Sequence, residues 1–336
     1  MVVRAYPAHG ADTLGELEQR VLTAMLAMQR RSWEQGVASH AILDWGLDPL
    51  ARVIARDAVM RQDSEGKLAE IDNQSVVNSG AVVEVVQWAA DVDADDSLQH
   101  AADRQIDFLL TTDRRADDGT LFHMEGSREV WIDTAYMVIP ALVLAGELSE
   151  ARKQFRGHRD RLFDAEAGLY GARWSEDDRV VHHPEHWGSG TGWMLAGIAR
   201  SIRLLGDREP DFAAELSSHA RILIDACLAL RHPDGTFRNV LDDPGSFEEG
   251  TVGEMLAFSI ASGILDGWVP ATYRAHVDSL VQSARSLVDA DGYVSRVCGA
   301  PMFESQGVSV EGQAFFLLAS TAHRRLGPES SASPTL

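Results

Sequence analysis

The sequence has few cysteines and no long apolar run, and both absences exclude classes of protein. Only two cysteines, Cys227 and Cys298, occur in 336 residues, so neither a disulfide scaffold nor a cysteine-rich metal site is indicated. No stretch reaches the roughly 18 consecutive apolar residues of a membrane helix, and the N-terminus lacks the apolar core of a signal peptide. We therefore expect a cytoplasmic protein without membrane segments.

Positive charge is also scarce. Lysine and arginine together number 30, against 51 aspartates and glutamates, which gives a formal net charge of −21. A chain of this charge is repelled at long range by nucleic acids and by anionic membrane surfaces. We expect partners of neither kind, and the sequence makes no prediction of oligomeric state.

The motifs of several common catalytic loops are missing. The glycine-rich stretch WGSGTGW has no Lys-Ser or Lys-Thr ending and no preceding strand, which argues against a nucleotide-binding loop. No G-x-S-x-G elbow occurs, and neither cysteine has an evident histidine partner motif. With these motifs absent, catalysis by carboxylate side chains is the remaining hypothesis.

What the sequence does contain is a repeat in its turns. A glycine followed two positions later by an aromatic or aliphatic residue occurs at Gly66, Gly119, Gly168, Gly235 and Gly292. The intervals are 53, 49, 67 and 57 residues, and helical periodicity fills most of the sequence between them. The pattern predicts twelve helices, at about 13–31, 33–45, 49–61, 75–91, 95–111, 128–146, 149–164, 189–206, 210–231, 249–264, 271–289 and 309–326.

Twelve helices in six hairpins predict an all-α fold. Six hairpins can close into an (α/α)6 barrel of six inner and six outer helices, although an open α-solenoid has the same repeat. We expect a single domain over residues 1–326, followed by a disordered Ser/Pro-rich tail over 327–336.

The second helix of each pair is richer in glycine, alanine and aromatic residues, as in GSGTGWMLAGIA. These should be the inner helices, where close packing requires small residues. The glycine turns all precede an inner helix, so a closed barrel would gather these loops at one mouth. Helix N-termini at that mouth would favour an anionic ligand.

Six segments bring acids, histidine and aromatic residues to this predicted mouth. Asp72 and Asp133 stand near the starts of the second and third inner helices, and His186 precedes the fourth. Aromatic rings can stack on sugar faces, and His186 can hydrogen-bond a substrate. The aromatic candidates for substrate binding are Trp33, Trp131, Tyr136, Trp187 and Trp193.

Each of these residues also has a structural interpretation. Taken alone, Asp72 is more simply a helix cap, and Asp133 is explained about equally well by structure and by catalysis. The tryptophans are most economically packing residues. A metal site in HHPEH is disfavoured because this stretch lacks the i, i+4 pairing of helical ligands. The convergence of six segments favours a catalytic role for Asp133.

Four ordered motifs resemble a known group of enzymes. They are VWIDTAYMVIPALVLAG, HWGSGTGWMLAGIARSI, DGTFRNVLDDPGSFEEGTVGEMLAFSIASGIL and FESQGVSVEGQAFFLLA. From about Trp33 to the last helix, the chain resembles the six-hairpin glycosidases of the unsaturated uronyl hydrolase group, glycoside hydrolase families 88 and 105. The family pattern has a W-x-D-x-x-Y-M segment, a W-G-x-G-x-G-W segment and a late E-G in the same order.

The resemblance implies an (α/α)6 barrel with an oligosaccharide substrate. Its pocket would hold the unsaturated uronic acid that polysaccharide lyases leave at a non-reducing end, and would hydrate the C4=C5 enol ether without a metal or cofactor. Asp133 matches the general acid/base that protonates C4 and activates the water added at C5. Asp72 matches the second pocket acid. Substrate-binding positions of the family match His186, Trp187 and Trp193.

One position departs from the family pattern. In many rhamnogalacturonyl members the third residue of the W-G-x-G segment is arginine, a natural partner for the uronate carboxylate, whereas Ser189 stands here. Either the substrate differs, or another cation such as Arg128 or Arg173 binds the carboxylate beside Ser189.

Two other functions fit the same features. The barrel could hydrolyse an intact glycosidic bond, with Asp72 and Asp133 as a carboxylate pair about 5–10 Å apart. A non-enzymatic helical repeat protein that binds its ligand in an open groove is the other alternative.

Overall fold

The computed structural model describes residues 14–71, 74–183 and 185–327, which contain twelve α-helices. They are α1 (Glu16–Met28), α2 (Ser32–Asp44), α3 (Asp48–Met60), α4 (Val83–Asp93), α5 (Asp96–Thr111), α6 (Thr134–Ala145), α7 (Leu148–Leu162), α8 (Gly188–Leu205), α9 (Pro210–Ala229), α10 (Thr251–Leu265), α11 (Arg274–Ser286) and α12 (Val310–Arg325). This confirms the predicted all-α class. Apart from Gly327, the predicted tail lies outside the described residues, and its disorder stays a prediction.

Two inner helices begin later than the periodicity predicted. The 3₁₀ segment Asn78–Val82 precedes α4, and a β-strand, Glu129–Trp131, precedes α6. Apolar residues in a 3₁₀ turn or a short buried strand resemble the start of a helix when only their spacing is considered. Both segments therefore extended the predicted helices towards the N-terminus.

The glycine turns adopt a backbone conformation that other residues avoid. Gly66, Gly119, Gly168, Gly235 and Gly292 have φ values of 104°, 91°, 71°, 90° and 90°. Glycine takes this left-handed region at little cost because it has no Cβ. The repeat seen in the sequence is thus a repeated turn that returns the chain from an outer helix towards an inner one.

Short antiparallel strands lie in four of the loops that contain these turns, those of Gly119, Gly168, Gly235 and Gly292. They are β1 (Glu129–Trp131), β2 (Phe163–Asp164), β3 (Leu169–Tyr170), β4 (Arg173–Ser175), β5 (Val180–His183), β6 (Phe237–Arg238), β7 (Glu248–Glu249), β8 (Val297–Cys298) and β9 (Gln306–Gly307). They pair as β1-β4-β5, β2-β3, β6-β7 and β8-β9. All lie in loops that lead from an outer to an inner helix.

The inner helices form a closed ring. Around it, α6 contacts α8, α8 contacts α10, α10 contacts α12, and α12 contacts α2. The 3₁₀ segment Asn78–Val82 contacts both α2 and α6 and so completes the circle. The contact between α12 and α2 joins the two ends of the repeat, which excludes an open solenoid and establishes the barrel.

Burial separates the two layers. Every residue from Thr134 to Val143 of α6 is buried, whereas the outer helix α3 buries only Ala51, Ile54, Ala55 and Ala58. The spacing of these four residues of α3 places them on one face of the helix, as expected for a helix that contacts a core on one side only. No helix in the described part of the chain is long and apolar enough to cross a bilayer.

Small residues allow the inner elements to approach closely, as the sequence predicts. A Cβ added at Gly80, in the 3₁₀ segment, would lie 2.5 Å from the carbonyl oxygen of Met137 on α6. That oxygen belongs to the backbone and cannot move without displacing α6. We expect Gly80→Ala to lower the free energy of unfolding by about 1–3 kcal/mol, measured by urea denaturation.

Gly253→Ala is the matched control for this substitution. Gly253 lies inside α10, and a Cβ there would meet its nearest neighbour at 3.5 Å, an ordinary van der Waals contact. Alanine favours helix over glycine by about 1 kcal/mol, so this variant should be as stable as the wild type or more so. Equal losses in both variants would contradict the close-approach explanation.

Candidate active site

A cavity of about 570 Å³ lies at the end of the barrel where the inner helices begin. All six loops that lead into inner helices contribute to its wall. Representative residues, one from each loop or helix start, are Trp33, Asn78, Asp133, Trp187, Val240 and Glu311. The segments that the repeat assigned to one mouth therefore meet around a single cavity.

Asp133 stands at the start of α6, with its side chain on the cavity wall. It occupies the N-cap position, but its side chain accepts no capping hydrogen bond. Its Oδ1 atom is buried and has no hydrogen-bond partner among the described residues. A buried carboxylate oxygen without a partner is costly, so a capping role does not account for this acid.

His123 lies beside Asp133, with its Nδ1 atom 3.6 Å from Oδ1. The same nitrogen is 2.8 Å from the hydroxyl of Thr134. Burial lowers the pKa of His123, although the charge of Asp133 opposes this effect. The imidazole is therefore neutral near pH 7, and it does not supply Asp133 with a positive partner.

Trp131 has two stacking partners at the cavity wall. The imidazole of His123 lies nearly parallel to the indole, with ring centroids 4.4 Å apart. The guanidinium carbon of Arg173 is 3.8 Å from the indole centroid, because the pairing of β1 with β4 places Arg173 opposite Trp131. No carboxylate of the described residues forms an ion pair with Arg173, which itself lines the cavity. The stack holds a cation at the site.

Four of the five aromatic candidates line the cavity: Trp33, Trp131, Trp187 and Trp193. Trp33 and Trp193 meet edge to face, with centroids 6.5 Å apart. Tyr136 is fully buried, and its hydroxyl lies 2.7 Å from Nδ1 of His40. Its ring packs on Trp193 at a centroid distance of 4.8 Å. Tyr136 thus supports the wall from behind and does not form its surface.

The remaining predicted site residues lie off the cavity wall or outside the described residues. Ser189 is 1% exposed, within α8. Arg128 is on the surface, where Nε lies 2.8 Å from a carboxylate oxygen of Asp177. His186 lies between two wall residues of its loop, and its Nδ1 is 2.6 Å from Asp242. Asp72 is outside the described residues.

A family model matches almost the whole chain. Residues 13–326 match the model described as Glycosyl Hydrolase Family 88. The chain belongs to this family. Membership places it among the glycoside hydrolases.

Similar proteins agree with the family 88 assignment. The unsaturated rhamnogalacturonyl hydrolase YesR of Bacillus subtilis (strain 168) is 25% identical over 237 residues, an alignment that spans 66% of each chain, just under two thirds. A possible GH105 member from Salmonella enterica serovar Paratyphi A has 19% identity and a TM-score of 0.81, covering 92% of this chain and 93% of its own. A possible GH105 member from Klebsiella pneumoniae has 18% identity and a TM-score of 0.81, covering 94% of each chain. The structures confirm the predicted fold.

Sequence reasoning assigned no role to His123 and Glu311, which both line this family 88 cavity. His123 follows the Gly119 turn, and Glu311 lies in the first turn of α12. Both residues lie in segments that the repeat places at the mouth of the barrel. Their position in the repeat could therefore have identified them as candidate site residues. An acid with an unpaired oxygen, a cation and apolar walls in one cavity can bind an anionic sugar and transfer a proton to it.

Proposed function

We propose that the chain removes a terminal unsaturated uronic acid from lyase-generated oligosaccharides by hydrating the C4=C5 enol ether. The observation that carries the proposal is the unpaired, buried Oδ1 of Asp133 on the wall of the cavity. Membership of family 88 and the name of the Bacillus subtilis relative support it. A rhamnogalacturonan-derived disaccharide is therefore the first substrate to test.

In this proposal Asp133 both gives and takes the proton. Its carboxyl O–H protonates C4, and the positive charge that develops at C5 is shared with the ring oxygen. Water adds at C5 and returns a proton to the Asp133 carboxylate, which restores the starting acid. The resulting hemiketal opens and the aglycone leaves. Because His123 is neutral, no imidazolium beside Asp133 competes with it as the proton donor.

Arg173 is the proposed partner of the uronate carboxylate. It lines the cavity, it has no ion pair with a described carboxylate, and its stack on Trp131 orients the guanidinium. Ser189 is buried within α8. A cation from a loop strand thus takes the role that an arginine in the W-G-x-G segment has in many relatives.

Replacing Arg173 should weaken substrate binding more than it slows the reaction. We expect Arg173→Met to raise KM about ten- to hundredfold with a smaller change in kcat, since a hydrogen bond to a charged group contributes about 1.5–3 kcal/mol. Methionine preserves the packing on Trp131, and Arg128→Met controls for loss of a surface charge. Steady-state kinetics with an unsaturated disaccharide measure both; equal KM values in the two variants would contradict the assignment.

The proposed reaction is tested by following the absorbance of the conjugated enol-ether carboxylate. Wild-type protein is incubated with unsaturated disaccharides from pectin, glycosaminoglycan, ulvan and gellan, and absorbance should disappear with at least one series. In D₂O the deuterium should occupy one face of C4 only, because Asp133 delivers it from one side. Deuterium on both faces of C4 would indicate that two carboxylates hydrolysed the glycosidic bond and that the released enol then tautomerised in solution. No reaction with any series would contradict the substrate class.

A further inference from the structure

Three buried glutamates lie close to the starts of α10 and α12, at the cavity end of the barrel. Glu249 and Glu254 are fully buried, and Glu311 is 4% exposed. Glu249 has a structural role, because its carboxylate accepts hydrogen bonds from the backbone N–H groups of Thr251 and Val252 at 2.8 and 3.0 Å. Glu254 has no such explanation, and the hydrogen bonds that Glu311 accepts from its own backbone N–H and from Ser309 leave its Oε2 without a partner.

Glu254 and Glu311 carry buried oxygens that nothing described satisfies. Both carboxyl oxygens of Glu254 and Oε2 of Glu311 lack a hydrogen-bond partner among the described residues. Within the same part of the chain, neither acid forms an ion pair with a basic side chain. Glu311 differs from Glu254 in one respect: it lines the cavity that contains Asp133.

The surroundings of Glu311 keep it protonated near neutral pH. Burial raises its pKa to about 8; hydrogen bonds from its own backbone N–H and from Ser309 oppose the rise, and the nearby charges of Glu34 and Glu249 add to it. Glu311 in turn contributes to the high pKa of Glu254, which burial raises most. A protonated carboxyl is a hydrogen-bond donor as well as an acceptor.

We propose that Glu311 is a substrate-positioning acid, whose carboxyl O–H donates a hydrogen bond to an oxygen of the sugar in this cavity. The inference rests on the proposed function for the nature of that sugar. An ionised glutamate at this place would repel a uronate, whereas a neutral acid donates without charge. A ligand oxygen would also satisfy Oε2, the buried atom that the protein leaves unpaired.

Titration of Glu311 depends on titratable groups from several elements. Those that face it from neighbouring elements are Glu34 of α2, Glu249 of β7, Glu254 of α10 and Cys298 of β8. Other titratable groups on the cavity wall are Arg31, Glu70, His123, Asp133, Arg173, His183, Glu185 and Glu304. Above about pH 8 the carboxyl group of Glu311 loses its proton. It can then no longer donate a hydrogen bond, and its negative charge repels an anionic ligand. KM should therefore rise with pH through this range.

The test compares Glu311→Gln and Glu311→Met with the wild type. Glutamine keeps a donor of the same size but cannot ionise, whereas methionine fills similar space without a donor. We expect KM at pH 7 to rise about tenfold in Glu311→Met and clearly less in Glu311→Gln. The increase in KM above pH 8 should be absent from Glu311→Gln. Glu16→Gln, at an exposed surface site, should retain the wild-type pH profile.

Urea denaturation separates a positioning role from a structural one. Because the folded-state pKa of about 8 exceeds the usual value of 4.5, this carboxyl contributes its full stability below about pH 4.5 and loses it as the pH rises through 8. Glu311→Gln should therefore lose less stability than the wild type between these limits. A change in stability alone, with KM and its pH profile identical to those of the wild type, would overturn the proposal.

Calorimetric titration of the same oligosaccharides into the Asp133→Asn background keeps the two proposals separate. If the wild type turns over no unsaturated oligosaccharide, the proposed function fails. Weaker binding in Asp133→Asn/Glu311→Met than in Asp133→Asn/Glu311→Gln would still support the positioning role of Glu311. Equal binding in both double variants, or no binding of any oligosaccharide, would overturn that role.

Discussion

Asp133→Asn should lower kcat for an unsaturated disaccharide on the order of 10³-fold, with little change in KM. Asparagine has nearly the same shape as aspartic acid, but its amide can neither protonate C4 nor accept the proton of the attacking water. General acid–base catalysis typically contributes 10²- to 10⁴-fold, and one group performs both transfers in the proposed mechanism. Absorbance assays over a range of substrate concentrations separate kcat from KM.

The stability of Asp133→Asn distinguishes catalysis from structure. Oδ1 has no hydrogen-bond partner among the described residues, and the side chain does not cap α6. Replacement of the carboxyl group by an amide should therefore leave the free energy of unfolding unchanged or raise it. Asp177→Asn, a surface change beside Arg128, controls for a lost carboxylate. Retention of wild-type kcat in Asp133→Asn, with the fold intact, would assign the two proton transfers to a different acid.

Arg200→Met should lower the free energy of unfolding by about 3–5 kcal/mol, the cost of leaving a buried charge without its partner. Arg200 is fully buried on α8, donates from Nε to Glu84 of α4, and lies 3.4 Å from Asp44 of α2. One side chain thus joins three inner helices. Glu84 also lies 3.2 Å from Nε2 of His40, but burial lowers the pKa of this histidine well below its usual value.

Burial is the largest cause of this lowered pKa and persists in the variant, so we expect His40 to replace the charge of Arg200 poorly and Glu84 to bear most of the cost. Asp44 keeps an ion pair with Arg203 at 3.1 Å. The double variant Arg200→Met/Glu84→Gln should recover part of the lost stability, because it also removes the orphaned carboxylate. Urea denaturation near pH 7 measures all of these differences.

Arg156→Met on α7 is the matched control. Arg156 is half-exposed and makes a two-point contact with Glu215 at 2.7 and 2.8 Å. Solvent screens this pair, so its loss should cost less than about 1 kcal/mol. If Arg200→Met cost no more than this surface change, the buried network would not be what holds the three helices together.

The local part of the structure followed from the sequence. Glycines at fixed offsets before an apolar residue specify left-handed turns, and the periodicity between them specifies helices; both depend on residues a few positions apart. The same information placed Asp133 and the tryptophans at the starts of inner helices. The residues at which α4 and α6 begin were less predictable, because a preceding 3₁₀ turn or short strand has an apolar spacing similar to that of a helix.

The composition and order of these local units therefore determined the fold class, the inner helices and the segments that meet at the mouth. Only the tertiary structure decided whether the ring closes, because the contact of α12 with α2 joins distant residues such as Thr321 and Asp44, which are 277 positions apart. It also decided which side chains face the cavity. Tyr136 turns towards His40, and Arg173 reaches the wall while Arg128 pairs with Asp177. Side-chain direction at a helix start depends on the neighbouring elements that pack against it, and that packing exists only once the barrel has formed.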